Sequence, residues 1–170
     1  MKNKTFLILI IIATVIALGG LITLMLTYYE TGGIFLSLGL SIVNLLGLIM
    51  LVKNSSLTKT IYFRYISFLI AIVIVGAMFK IMHWPGSAII LIIGLIGIPS
   101  VYLFRFIKKP IKRQLDIMKL VWVITAYITA LGVTLHWLPR DLTYLPNVIM
   151  LATIIQFTST CMKDKTLLEK

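Results

Sequence analysis

Six long apolar runs separated by short polar linkers constrain this chain more than any other feature. They cover about residues 6–26, 33–52, 63–82, 87–106, 118–138 and 145–162. A bilayer core of ~30 Å is crossed by ~20 residues of helix, so each run is long enough for one crossing. Backbone groups in lipid must be hydrogen-bonded within their own segment, which favours helices. The runs predict an all-α polytopic membrane protein with six transmembrane helices.

Composition and cysteine content agree with this prediction. Hydrophobic residues make up 60% of the chain and charged residues 12%, which leaves too little polar surface for a soluble domain. The first run follows Lys2 and Lys4 as a signal peptide would, but it is too long and lacks a small-residue cleavage site. We therefore expect a retained anchor. The single cysteine, Cys161, excludes an internal disulfide and any multi-cysteine metal site.

The cations lie almost entirely on one side of the predicted membrane. Of the 16 Lys and Arg residues, two (Lys80 and Arg140) fall on the other side, here called the opposite side. The remaining fourteen define the basic side: Lys2, Lys4, Lys53, Lys59, Arg64, Arg105, Lys108, Lys109, Lys112, Arg113, Lys119, Lys163, Lys165 and Lys170. Cytoplasmic loops are enriched in Lys and Arg, so both termini are expected in the cytoplasm.

The net charge of +11 does not indicate a nucleic-acid partner. Nucleic-acid binding requires basic residues gathered on one soluble surface, whereas here they are divided among hydrophobic runs. We expect the basic side to contact anionic lipid headgroups instead.

Glycine and lysine positions suggest an internal repeat. Gly20, Gly76 and Gly132 recur with a step of 56 residues, and Lys53, Lys109 and Lys165 keep the same step. A regular step is typical of a repeated unit that stacks on its neighbours. We predict three tandem helical hairpins, at about 6–52, 63–106 and 118–162, in a single membrane domain covering 1–170.

The linker between the third and fourth runs carries a distinctive sequence, Phe-Lys-Ile-Met-His-Trp-Pro-Gly at 79–86. Together with its flanks, from Val75 to Leu95, it resembles the N-terminal transmembrane hairpin of the GldL family. The third hairpin has a degenerate version in His136-Trp137. The resemblance implies an inner-membrane protein of a type IX secretion or gliding-motility machine, with this turn on the periplasmic side.

The chain also departs from that family. The resemblance implies a glutamate in the second helix that couples proton flow to motion, but Gly94 to Pro99 contains no acid. GldL continues into a long cytoplasmic region, whereas this sequence ends soon after Lys163. We therefore expect a relative that shares the hairpin without acting as a motor.

The candidate site residues are predicted to bind a partner or lipids. Proline and glycine supply a tight turn, and tryptophan suits the membrane interface. Asn44 and Gln156 are polar groups within the spans and are expected to bond across helix interfaces. The candidates are Lys80, His83, Trp84, Pro85, Gly86, His136 and Trp137 on the opposite side, and Lys108, Lys109, Lys112 and Arg113 on the basic side.

No catalytic, cofactor or metal site is predicted. The five acids fall in turns or tails, whereas proton-coupled carriers usually need an ionisable group within the membrane. The acids are Glu30, Asp116, Asp141, Asp164 and Glu169. A zinc ion shared by His83 and His136 is an alternative that would require a further ligand.

These observations favour a non-catalytic scaffold or accessory subunit that binds helices of another membrane protein or of a second copy. Gly39, Gly47, Gly94 and Gly97 would allow close helix contacts. A small transporter or channel with a pathway between the hairpins is the main alternative, followed by an intramembrane enzyme and a sensor.

Overall fold

Six long helices make up most of the chain in a computed structural model, which describes residues 3–26 and 29–163. All six are long and apolar enough to cross a membrane, and the described residues contain no strand. The all-α prediction with six candidate spans is therefore confirmed. The helices are α1 (Asn3–Met25), α2 (Tyr29–Lys53), α3 (Ile61–Ile81), α4 (Ser87–Lys108), α5 (Gln114–Thr134) and α6 (Tyr144–Lys163).

Three features of the helix ends were not evident from the apolar runs. Helix α2 begins at Tyr29, so Glu30 lies in its first turn, where a carboxylate interacts favourably with the helix dipole. Helix α5 ends at Thr134 rather than at Leu138, and a short 3-10 helix follows at Arg140–Thr143. Gly86, not Ser87, occupies the N-cap of α4. Each difference arises because backbone geometry, rather than hydropathy, ends a helix.

The helices form two compact units. The first contains Met1–Ser55 and Tyr144–Lys170, and the second contains Ser56–Thr143. The boundary falls inside the predicted third hairpin, at 118–162, so its two helices belong to different units. The predicted single domain and the 56-residue repeat remain predictions.

In the first unit, α1 and α2 pack with their backbones in direct contact. A Cβ atom added at Gly39 would lie 2.6 Å from the Ala17 nitrogen, and one added at Gly32 would lie 2.6 Å from the Leu24 nitrogen. Gly20 meets the backbone of Leu36 equally closely. Lipid supplies little hydrophobic force between helices, so such close van der Waals contact is what holds two helices together.

Helix α6 packs on α2 through one small residue and one polar pair. The side chains of Met150 and Ile154 cover Gly47. Asn44 Nδ2 donates a hydrogen bond of 2.7 Å to Asn147 Oδ1. The expectation that Asn44 bonds across a helix interface is confirmed, although the sequence did not indicate Asn147 as its partner.

In the second unit, α3 and α4 pack side chain against glycine. Gly94 lies against Val73 and Gly97 against Leu69, while Gly76 faces Leu91. Toward the basic side, this packing continues into a cluster formed by Leu57, Ile66 and Ile98, against which Tyr102 and Tyr127 also pack. The four glycines that the sequence singled out thus make close contacts within the chain's own units.

Pro99 lies inside α4, where it removes one helical hydrogen bond because it has no N–H group. The carbonyl left without that bond belongs to Leu95. The Ser100 hydroxyl donates 2.7 Å to the Ile96 carbonyl, which is the next acceptor along the helix. Ser100 therefore does not satisfy the Leu95 carbonyl, but reinforces the turn beside it.

The glycine contact between α1 and α2 gives a matched pair of substitutions in one helix. Gly39→Ala should lower the free energy of unfolding by roughly 1–3 kcal/mol, since the new methyl group must displace the Ala17 backbone. Gly33→Ala places the same group where nothing lies within 4 Å and should be neutral or slightly stabilising. Unfolding in mixed micelles measures the stability of both variants, and equal losses of stability would contradict the close contact at Gly39.

The Asn44–Asn147 bond predicts non-additive substitutions. Asn44→Val and Asn147→Val should each destabilise the unit, because each leaves one part-buried amide unpaired. The loss of unfolding free energy in the double variant should be smaller than the sum of the two single losses, by roughly 0.6–1.7 kcal/mol. A double-mutant cycle in micelles measures this coupling, and strictly additive losses would show that the bond contributes nothing.

Candidate functional site at the hairpin ends

On the opposite side, α3 ends in a Schellman motif whose left-handed residue is His83. The Trp84 N–H donates 2.9 Å to the Phe79 carbonyl, and the His83 N–H donates 3.2 Å to the Lys80 carbonyl. His83 has a φ of 56°, which is the left-handed position that glycine usually fills in this motif. Two otherwise unpaired carbonyls at the helix end are thereby satisfied.

The Trp84 side chain stabilises this end of α3 from outside the helix. Its ring packs edge-on against Phe79, with the ring centroids 4.8 Å apart. A hydrophobic contact of this kind commonly accompanies the motif. The indole nevertheless remains 47% exposed. Pro85 then leads to Gly86, whose φ of 84° lets the chain turn directly into α4.

Helix α5 ends in the same motif, built from His136 and Trp137. The Trp137 N–H donates 2.8 Å to the Gly132 carbonyl, and the His136 N–H donates 3.2 Å to the Val133 carbonyl. His136 has a φ of 61°. The aromatic contact is replaced, since Leu138 folds back over Gly132 and Trp137 is left 76% exposed.

The two motifs are related by 53 residues rather than 56. Both His83 and His136, and both Trp84 and Trp137, are separated by this step. Helices α3 and α5 have the same 21-residue length and begin and end with the same step. Phe79 consequently occupies the position that Gly132 holds in α5. The equivalence of these helix ends is a finding separate from the predicted glycine repeat.

Lys80 joins the two helix ends within the second unit. Its Nζ atom lies 3.4 Å from the Thr134 carbonyl oxygen in the last turn of α5. A cation there interacts favourably with the negative end of the helix dipole. Lys80 was predicted to bind a partner or lipids. In the structure its side chain is exposed and also contacts a neighbouring helix.

On the basic side, Asp116 fixes the turn between α4 and α5. Its Oδ2 atom accepts a 2.6 Å bond from Lys109 Nζ and a 3.0 Å bond from the Arg113 backbone N–H. The second bond caps the start of α5. Lys109 is thus committed to an ion pair, a role that the sequence analysis did not assign to it.

Two other cations of this segment lie over aromatic rings. Lys108 Nζ is 4.5 Å from the centre of the Phe104 ring, and Lys112 Nζ is 5.1 Å from that of Phe106. Their ammonium groups remain exposed, so cation–π contact orients them without removing them from the membrane surface. These lysines are therefore still available to anionic headgroups.

The described part of the chain holds no three-ligand metal cluster around the histidines. Within residues 3–26 and 29–163, no group of three or more His, Cys, Asp or Glu side chains lies close enough together to hold a metal ion. His83 and His136 are both exposed, and their backbone N–H groups make hydrogen bonds that end α3 and α5.

The left-handed histidines predict a gain in stability on substitution by glycine. His83→Gly should raise the free energy of unfolding by about 1 kcal/mol, because a Cβ atom is disfavoured at this φ. His83→Val should lower it, since a β-branched residue tolerates the conformation least. Thermal unfolding of the two variants measures the effect, with His136→Gly as the parallel test. A lower free energy of unfolding for His83→Gly would mean that the imidazole itself stabilises the turn.

Comparison with known proteins identifies the hairpin. Residues 65–120 match the family model described as GldL N-terminal domain, so the resemblance predicted from the turn is confirmed and extends well beyond Val75 to Leu95. The matched segment begins inside α3, includes all of α4 and ends in the first third of α5. No curated protein and no solved structure gives a significant match. About a third of the chain is therefore similar to the N-terminal domain of GldL.

Proposed function

We propose that this protein is a non-catalytic scaffold or accessory subunit of the bacterial inner membrane. It binds a partner's membrane helices in an envelope, secretion or gliding-motility machine. The match at 65–120 carries the proposal, because that segment contains the α3–α4 hairpin and its exposed end. The charge distribution supports an orientation with both termini cytoplasmic and the His-Trp turns periplasmic.

The hairpin end offers a partner both apolar and charged groups. Trp84 and Trp137 expose indole rings, and Lys80 keeps its ammonium at the surface. Tryptophan is enriched among residues that dominate binding energy, since a large rigid ring is buried at little entropic cost. Helix α3 also keeps a broad exposed face, which includes Phe68, Ile74 and Met78.

A transport pathway is the alternative, and specific hydrogen bonds disfavour it. Asn44, one of its expected lining groups, is bonded to Asn147. Threonine hydroxyls in α5 and α6 donate to carbonyls one turn earlier in their own helices, as Thr129 does to Thr125 and Thr153 does to Ile149. Hydroxyl groups paired in this way have no proton left to donate to a hydrated solute.

Motor activity is not part of the proposal. The acids in the described part of the chain, Glu30, Asp116 and Asp141, lie in the first turn of α2, the first turn of α5 and the short 3-10 helix, so none of these three is placed to carry protons through the middle of a span. A scaffold that presents fixed helix ends needs no titratable group in lipid. It acts by contact alone.

Replacing Lys80 tests this proposal. Lys80→Met should reduce recovery of a stoichiometric membrane partner several-fold in mild-detergent purification, because the partner loses a charged contact. Insertion should be unchanged, since methionine suits lipid. Lys112→Met removes the same charge on the basic side and is the matched control. Quantitative mass spectrometry of the purified complexes measures recovery.

Two results would overturn the proposal. One is a chain that purifies alone from several mild detergents and mediates solute uptake in proteoliposomes. The other is equal partner recovery with Lys80→Met, Trp84→Ala and the unchanged chain, which would exclude the hairpin end as the contact surface.

A further inference from the structure

A cleft at the start of α3, on the basic side, is not used by any contact described above. Its volume is about 510 Å³. It lies where the short 3-10 helix Ser56–Lys59 leads into α3, and therefore where a membrane-spanning helix meets the lipid headgroups. The lining residues are Thr58, Thr60, Ile61, Phe63, Arg64 and Ser67.

We propose that this cleft binds the headgroup of an anionic glycerophospholipid, with Arg64 as the residue that holds the phosphate. The guanidinium group presents several N–H donors in a plane and pairs with phosphate in a bidentate manner. In the part of the chain that the structure describes, the ion pair on this side is Lys109–Asp116. No described carboxylate therefore neutralises Arg64, whose side chain is exposed.

The hydroxyl groups of the cleft indicate what lies beside the phosphate. The Thr60 hydroxyl donates 2.7 Å to the Leu57 carbonyl, and the Ser67 hydroxyl donates 2.9 Å to the Phe63 carbonyl. With their protons committed, these oxygens can only accept further hydrogen bonds. A headgroup that carries donors next to its phosphate, such as the glycerol of phosphatidylglycerol, matches both Arg64 and the two hydroxyl oxygens.

Exposed apolar side chains beside Arg64 favour a lipid over free phosphate. Ile61 is 63% exposed and Phe68 is 66% exposed. They are three residues before and four residues after Arg64, which places all three on one face of α3. An acyl chain descending from a bound headgroup would run along this face. A free phosphate ion would make no use of it.

Binding of short-chain phosphatidylglycerol to the purified full-length protein tests the site. Native mass spectrometry in detergent gives the dissociation constant. Arg64→Gln should weaken binding about tenfold, the effect of losing a charge-assisted hydrogen bond. Arg140→Gln removes the same guanidinium charge from the opposite side, outside the cleft, and should change the dissociation constant less than twofold. Arg64→Lys keeps the charge without the planar donors and should give an intermediate value.

Several outcomes would overturn the assignment. Equal weakening by Arg64→Gln and Arg140→Gln would mean that the lipid responds only to overall charge. Unchanged binding in all variants would exclude the cleft. Displacement of the lipid by an equal concentration of glycerol phosphate would assign the cleft to a soluble phosphate compound. If the Arg64→Gln chain does not insert into the membrane, Arg64→Lys is compared with the unchanged chain instead. Equal lipid binding by these two chains would exclude the guanidinium group as the phosphate ligand. The assay uses no partner protein, so its result is independent of the proposed scaffold function.

Discussion

Close approach of helices at glycine is the constraint on which this structure depends. Lipid tails are as apolar as leucine, so burial alone gives two helices little reason to associate. Contact then depends on how near the backbones can come. Gly39 lets α1 and α2 touch backbone to backbone, while Gly94 admits the side chain of Val73 between α3 and α4. Glycine thus forms two kinds of helix interface. The α1–α2 interface is tighter, whereas the α3–α4 interface leaves more room for side chains to adjust.

The same physics explains what the sequence could predict. Length and hydropathy set the six helices, since any run of ~20 apolar residues must satisfy its backbone internally. They do not set which helices pack together, because lipid-facing and helix-facing residues are equally apolar. An amide within a membrane span needs a hydrogen-bond partner, so a partner for Asn44 was expected. No sequence feature near Asn44 indicated Asn147, which is 103 residues away. The boundary between the two units, which falls within the predicted third hairpin, could not be predicted because hydropathy does not show which helices pack together.

The helix ends were harder to predict than the helices. The sequence is mostly apolar from Leu131 to Leu138, with Thr134 and His136 as its polar residues, so hydropathy extends α5 past its true end at Thr134. The visible signal was the His-Trp pair, which recurs after 53 residues and ends both helices in the same way. From the sequence this pair was predicted to be a surface motif. In the structure its histidine takes the left-handed backbone conformation that glycine usually takes at the end of a helix. Arg64 was missed as a site because its cleft forms only when the 3-10 helix folds beside it.

The segment similar to GldL contains the side chains that position its neighbour α5. At one membrane surface Lys80 reaches the carbonyl of Thr134, and at the other Lys109 pairs with Asp116. Lys80, Lys109 and Asp116 all lie within 65–120, whereas Thr134 lies beyond it. The contact at Thr134 is to a backbone carbonyl, which any residue supplies. The hairpin therefore holds α5 near both of its ends through Lys80 and Lys109, and of these two contacts only the one with Asp116 requires a particular side chain in α5.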